Sequence, residues 1–77
     1  SDPEHRAQRL QNHIAELTES RDKMKKIFDD GHKLNVPAEF KELYTYQMMT
    51  AKFGLDYLNF QIKWFKKMLE QGVDFNE

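Results

Sequence analysis

The sequence contains no cysteine, only two prolines and only three glycines among its 77 residues. Without cysteine, disulfide bridges and Cys-based zinc sites are excluded. No apolar run approaches the roughly 20 residues of a membrane span, and no signal-peptide pattern opens the chain. Because nothing in the sequence demands an oxidising compartment, we expect a cytoplasmic protein with no membrane partner.

Positive and negative charges are nearly balanced, with a formal net charge of −1. The chain has 12 Lys and Arg residues against 13 Asp and Glu residues, and both signs are spread along its length. This balance does not indicate a nucleic-acid or membrane surface. The chain also lacks a Gly-rich phosphate loop and a Ser/His/Asp set that helices would bring together. We therefore expect neither an enzyme nor a cofactor.

The first half of the chain predicts one long helix. Asp2 is a good N-cap and Pro3 suits the first helical position, while Gly31 is expected to end the helix in the left-handed conformation. Apolar residues recur at steps of three and four, with Arg21 occupying one place in the series. This narrow stripe is typical of a coiled-coil seam, and it consists of Leu10, Ile14, Leu17, Met24 and Phe28.

The second half predicts another long helix, from Val36 or Pro37 to Gly72, with Gly54 as its one weak place. One face alternates steps of four and three without interruption, and it consists of Tyr44, Met48, Ala51, Leu55, Leu58, Ile62, Phe65 and Leu69. We expect this face to form an intrachain seam with helix one. The predicted fold is therefore all-α, a helical hairpin over residues 4–71, followed by a loose C-terminal tail at 72–77.

The opposite face of helix two is also apolar. We call it the aromatic row, and it consists of Tyr46, Met49, Phe53, Tyr57, Phe60, Trp64 and Met68. Residues two apart differ by about 200° on a helix, so the row and the seam point away from each other, and Trp64 is expected to face away from Phe65. Helix one can cover only one face. An uncovered apolar patch usually marks an interaction site, which predicts a homodimer or another helical partner assembled through helix two.

The aromatic row permits two interpretations. In the first, it is the packed core of a dimer interface. In the second, it lines an apolar pocket between chains that holds a flat aromatic effector.

The segment Thr50 to Phe65, TAKFGLDYLNFQIKWF, resembles the final helix of PadR-type bacterial transcription regulators. The closest resemblance is to the larger members, whose C-terminal domain is of the virulence-activator alpha type. Gly54 and Trp64 match the Gly and the Trp about ten positions later in that helix. The stretch HIAELTESRDKM resembles the first C-terminal helix, and the turn with Pro37 also fits. The resemblance covers roughly residues 5–70.

The resemblance implies a dimerisation domain. In such regulators DNA is read by an N-terminal winged helix that this sequence does not contain, so no DNA-contacting residue carries over. Some PadR-type regulators bind drugs or phenolic compounds near the dimer interface, which permits a small aromatic effector here. The alternative is a helical adaptor or assembly module for a different protein. A small enzyme or metal protein is a third, weaker class.

Three local patterns have simpler interpretations. His13 and Glu16 have a spacing seen in metal ligands, but helix two has no His, so a solvated face is expected. Asp29-Asp30-Gly31 is similar to part of a calcium loop, yet Lys26 would stand at the first ligand position. The lysine clusters are expected to be solvated helix faces rather than phosphate sites, and they consist of Lys23, Lys25, Lys26 and Lys33, and of Lys63, Lys66 and Lys67.

Overall fold

The computed structural model describes residues 2–72 and shows two long helices packed side by side. Helix α1 spans Pro3–Gly31, a 3-10 turn η1 spans Ala38–Phe40, and helix α2 spans Lys41–Gln71. The two helices run in opposite directions and form a rod of 57 × 20 × 16 Å. The predicted all-α hairpin is confirmed for these residues, while its assembly as a dimer stays a prediction. No helix in residues 2–72 combines the length and apolar character needed to cross a membrane.

Helix α1 begins as its sequence indicates. The carboxylate of Asp2 accepts a hydrogen bond of 3.0 Å from the backbone N–H of Glu4, and Pro3 occupies the first helical turn. The cap satisfies one of the backbone donors that a helix leaves unpaired at its start, and Pro3 has no N–H to leave unpaired.

Helix α1 ends at Gly31, but not by the predicted left-handed conformation. His32 continues with right-handed angles (φ −65°, ψ −19°), and Gly72 is the only residue of 2–72 with a positive φ. A Cβ atom on Gly31 would lie 2.9 Å from the sulfur of Met48. Gly31 therefore leaves room for the side chain of Met48 beside the end of α1, which sequence periodicity alone does not reveal.

Helix α2 begins later than predicted. Pro37 is extended (φ −57°, ψ 148°), and its carbonyl accepts a 3.0 Å hydrogen bond from the N–H of Phe40 in the 3-10 turn. Residues 38–40 thus complete a tighter turn before α2 starts at Lys41. At the other end, Gly72 is left-handed (φ 62°, ψ 42°), and its N–H donates to the carbonyl of Met68. Apart from Gly72, the predicted tail lies outside the described residues.

The seam residues line the contact between the helices. Four side chains of residues 2–72 are buried, with 5–9% of their surface exposed: Ile14 and Leu17 on α1 and Leu55 and Ile62 on α2. They lie in the central part of the hairpin. The remaining seam residues are half-buried: Leu10, Met24, Phe28, Tyr44, Met48, Ala51, Leu58, Phe65 and Leu69. Arg21 extends across the seam, where its guanidinium donates a 2.8 Å hydrogen bond to the side-chain oxygen of Asn59.

Candidate functional site

The aromatic row lies on the outer face of α2, away from α1. Six of its seven side chains are exposed, from 71% for Phe53 to 42% for Trp64, and Met68 is half-buried. No residue of α1 or of the turn in the described chain covers this face. The structure thus leaves open the surface that the sequence predicts as an interface or pocket.

The exposed area of the row approaches that of a protein interface. Aromatic side chains have areas of roughly 150–250 Å², so six large side chains that are about 60% exposed present on the order of 700 Å². The largest apolar patch on a typical monomer is about 300–600 Å², whereas a standard interface buries about 800 Å² of each partner. The row is therefore large enough to form the contact surface of a stable complex.

Neighbouring members of the row stack on one another along the helix. The rings of Phe53 and Tyr57 are nearly parallel, with an angle of 8° and centroids 6.3 Å apart. This i, i+4 contact holds the two rings nearly parallel. Both residues remain more than half exposed, so the pair presents apolar area to a partner.

Trp64 differs from the rest of the row. Its ring meets Phe65 edge to face at 5.1 Å and 84°, so the expectation that the two residues face away from each other is wrong. Consecutive helix residues are only about 100° apart, and a large indole spans that angle. Trp64 and Phe65 together line an apolar groove of about 410 Å³ at the open end of the hairpin, with Leu10, Met68 and the stem of Arg6.

A second exposed apolar cluster lies at the turn end of the hairpin. Ile27, Leu34, Phe40 and Leu43 each expose half or more of their surface. The periodic faces of the two helices do not predict this cluster, because none of these residues belongs to the seam or to the row. The signal that could have found them is the presence of large apolar residues in and beside a loop, where polar residues are usual.

All ion pairs within residues 2–72 join residues at most four apart in the chain. Lys25 binds Asp29 at 2.8 Å and Lys26 binds Asp30 at 2.9 Å, so the acids before Gly31 are each matched by a lysine one turn earlier. The hydrogen bond from Lys26, supported by its charge, lowers the pKa of Asp30, and the same contact raises the pKa of Lys26. Ion pairs between residues four apart are typical of a solvent-exposed helix face.

His13 packs against an aromatic ring of the other helix. It lies edge-on to Phe65, with centroids 4.8 Å apart and an angle of 88°. This contact accounts for His13 as part of the interhelical packing. Within residues 2–72, no three His, Asp or Glu side chains converge as metal ligands.

No protein-family model, curated protein or solved structure matches this chain. The features that bear on function are the packed seam of the two-helix rod and the exposed aromatic row on the other face of α2.

Proposed function

We propose that this chain forms a homodimer through the aromatic row and serves as the dimerisation domain of a bacterial transcription regulator similar to the PadR type. The observation that carries the dimer is the exposure of six large apolar side chains on a helix whose other face already packs on α1. Burial of apolar area is the main driving force of most protein association, and this face holds six of the ten large apolar side chains that residues 2–72 leave exposed.

A thin core also favours association. Only four side chains of residues 2–72 are buried, and each keeps 5–9% of its surface exposed. A two-helix chain of this size gains little stability from its own core. Pairing two copies through α2 makes α2 the central layer of a larger helical assembly. Each α2 then has apolar contacts on both faces, as its two apolar stripes require.

The regulator role rests on the resemblance of Thr50 to Phe65 to the last helix of PadR-type regulators. Gly54, half-buried beside Met24, and Trp64, at the open end, are the two residues that match best. The role predicts a winged helix-turn-helix in the full-length protein, before the residue numbered 1 here. Sequencing of the intact gene tests it, and a coding region without such a motif would contradict it.

The effector-sensing role is a separate part of the proposal. The groove beside Trp64 is apolar and of a size suited to one flat aromatic compound. Such a compound would stack near the indole and quench its fluorescence.

Sedimentation velocity with circular dichroism tests the dimer. Phe60→Asp places a charge in the middle of the row, where dimerisation would bury it without a partner, so the variant should lose the dimer at micromolar concentration. Gln11→Asp adds the same charge to an exposed position of α1 and should leave the dimer intact. Leu58→Asp, in the seam, should instead disrupt the hairpin itself.

Two results would contradict the dimer. One is a wild-type chain that sediments as a stable, fully helical monomer at micromolar concentration. The other is a Phe60→Asp variant that dimerises like the wild type. The first would favour the helical adaptor, in which the row binds a different protein.

A further inference from the structure

The exposed members of the aromatic row are arranged almost symmetrically along α2. Phe53 and Tyr57 lie two residues on either side of Leu55. Tyr46 and Trp64 lie nine residues on either side of Leu55. Met49 precedes Leu55 by six residues, and Phe60 follows it by five. The row thus reads nearly the same in both directions from its centre.

The charges at the two ends of the row are opposite. At about 100° per residue, Glu42 and Lys67 fall on the same face of α2 as the row, one at each end. Both are exposed, and within residues 2–72 neither takes part in an ion pair. The face is therefore an apolar centre with a negative group at one end and a positive group at the other.

We propose that two copies of α2 pair antiparallel about a two-fold axis that passes at the level of Leu55. This inference rests on the proposed dimer and specifies its register. Phe53 then faces Tyr57 of the partner subunit, and Met49 faces Phe60 of the partner subunit. Tyr46 faces Trp64 of the partner subunit, and Glu42 lies beside Lys67 of the partner subunit.

A parallel arrangement lacks this complementarity. It would place Glu42 beside Glu42 of the partner subunit and Lys67 beside Lys67 of the partner subunit, and like charges in contact disfavour an interface. Two-fold symmetry makes every antiparallel contact occur twice. Each Glu42 therefore lies beside a Lys67 of the partner subunit. The antiparallel register also brings exposed Leu43 to the level of Met68 of the partner subunit, beside the apolar groove at the open end.

Disulfide trapping tests the register, because the natural chain has no cysteine. Met49→Cys and Phe60→Cys are made separately, and each is oxidised alone and after mixing under reducing conditions to allow subunit exchange. In the antiparallel register, the two Met49 positions are about 18 Å apart along the axis and the two Phe60 positions about 15 Å. A disulfide requires Cα atoms within about 7 Å, so only the mixture should form a covalent dimer.

A second pair of cysteine variants controls for the possibility that truncating Met49 or Phe60 itself weakens the dimer. Glu42→Cys and Lys67→Cys lie at the ends of the row, remove no apolar contact, and should also cross-link only when mixed. Lys25→Cys, on the exposed face of α1, is the control that should form no covalent dimer under the same conditions.

The outcomes separate the register from the dimer. Cross-links in the mixtures alone support the antiparallel register. Cross-links of each variant with itself would overturn it in favour of parallel pairing and leave the dimer standing. A wild-type dimer whose variants form no cross-link in either format would overturn the register. A wild-type monomer in sedimentation would overturn the proposed dimer and the register together.

Discussion

The hydroxyl of Tyr44 donates a 2.7 Å hydrogen bond to the backbone carbonyl of Gly31. The bond joins the end of α1 to the first turns of α2, and it satisfies a carbonyl near a helix end, where intrahelical partners run out. The N–H of Leu34 donates to the same oxygen at 3.2 Å. Tyr44 thus helps fix the geometry of the turn in addition to filling its place in the seam.

Tyr44→Phe should lower the free energy of unfolding by about 1 kcal/mol, the usual contribution of a hydrogen bond of this kind. The bond from Leu34 keeps the carbonyl partly satisfied, which limits the loss. Urea denaturation provides the measurement. Tyr46→Phe is the control, because its exposed hydroxyl has no hydrogen-bond partner within residues 2–72, and an equal loss in both variants would argue against the role of the Gly31 contact.

Gly54 in α2 and Gly72 just after its end should respond oppositely to substitution by alanine. A Cβ on Gly54 would lie 3.9 Å from the end of Met24, an ordinary contact, so Gly54→Ala should stabilise the chain by about 1 kcal/mol through helix propensity. Gly72→Ala should destabilise it by about 1 kcal/mol, because a left-handed φ of 62° disfavours any residue with a Cβ. Thermal denaturation of both variants gives the comparison, and shifts of the same sign would refute it.

Arg21 places a charged side chain at a position of the seam that is otherwise apolar. Its side chain is 30% exposed, and its hydrogen bond to Asn59 is near the surface, where such bonds contribute little. Arg21→Leu should therefore raise the free energy of unfolding by about 1 kcal/mol through added apolar burial. Asn59→Ala isolates the loss of the hydrogen bond and should have a small effect. A clear destabilisation by Arg21→Leu would mean that the cross-helix bond outweighs apolar packing.

The ion pair between Lys26 and Asp30 should lower the pKa of Asp30 in a pH titration. The hydrogen bond from Lys26 lowers the pKa of Asp30 below its ordinary value of 3.8, so the pair contributes stability above that value and loses it as the pH falls through the lowered pKa. Carbon-13 NMR of the Asp30 carboxyl measures the pKa directly. Lys26→Met should raise it towards the ordinary value, and Lys33→Met, which removes a weaker contact, should raise it less.

Trp64 reports on assembly. Trp64→Ala should weaken the dimer by about 2 kcal/mol, as truncation of a large interface side chain commonly does, whereas Lys63→Ala removes only an exposed charge. Because Trp64 also packs on Phe65, the test is the dissociation constant from sedimentation equilibrium rather than thermal stability. The wild-type emission should shift to the red on dilution. A spectrum of exposed indole in the concentrated native protein would contradict the assignment.

The hairpin was predictable because its signals are periodic. Two faces are defined by apolar residues at steps of three and four, one from Leu10 to Phe28 and one from Tyr44 to Leu69. Because the segment that connects the two helices is short, the helices must pack side by side and antiparallel. The features of the structure that differ from the sequence-based prediction depend on contacts that do not repeat along the helices. The role of Gly31 depends on the approach of Met48 from the other helix, and the late start of α2 depends on a local choice between 3-10 and α-helical hydrogen bonding.

The exposure of the aromatic row was also predictable from the sequence, because a single stripe on α1 can cover only one face of α2. The direction of the Trp64 side chain was not predictable, because an indole is large enough to contact the residue on either side of it. The cluster around Leu43 was also missed, since it belongs to neither repeating pattern.

The placement of the four buried side chains in the central part of the hairpin has a mechanical consequence. Amide hydrogens near Leu17 and Leu55 should exchange most slowly, while the open end and the turn end separate in smaller, less costly openings. Those two ends carry the apolar groove beside Trp64 and the exposed cluster around Leu43. The apolar surfaces at the two ends are therefore more easily reshaped than the middle of the aromatic row, so a bound partner can alter them at little free-energy cost while the middle of the rod holds the two helices in register.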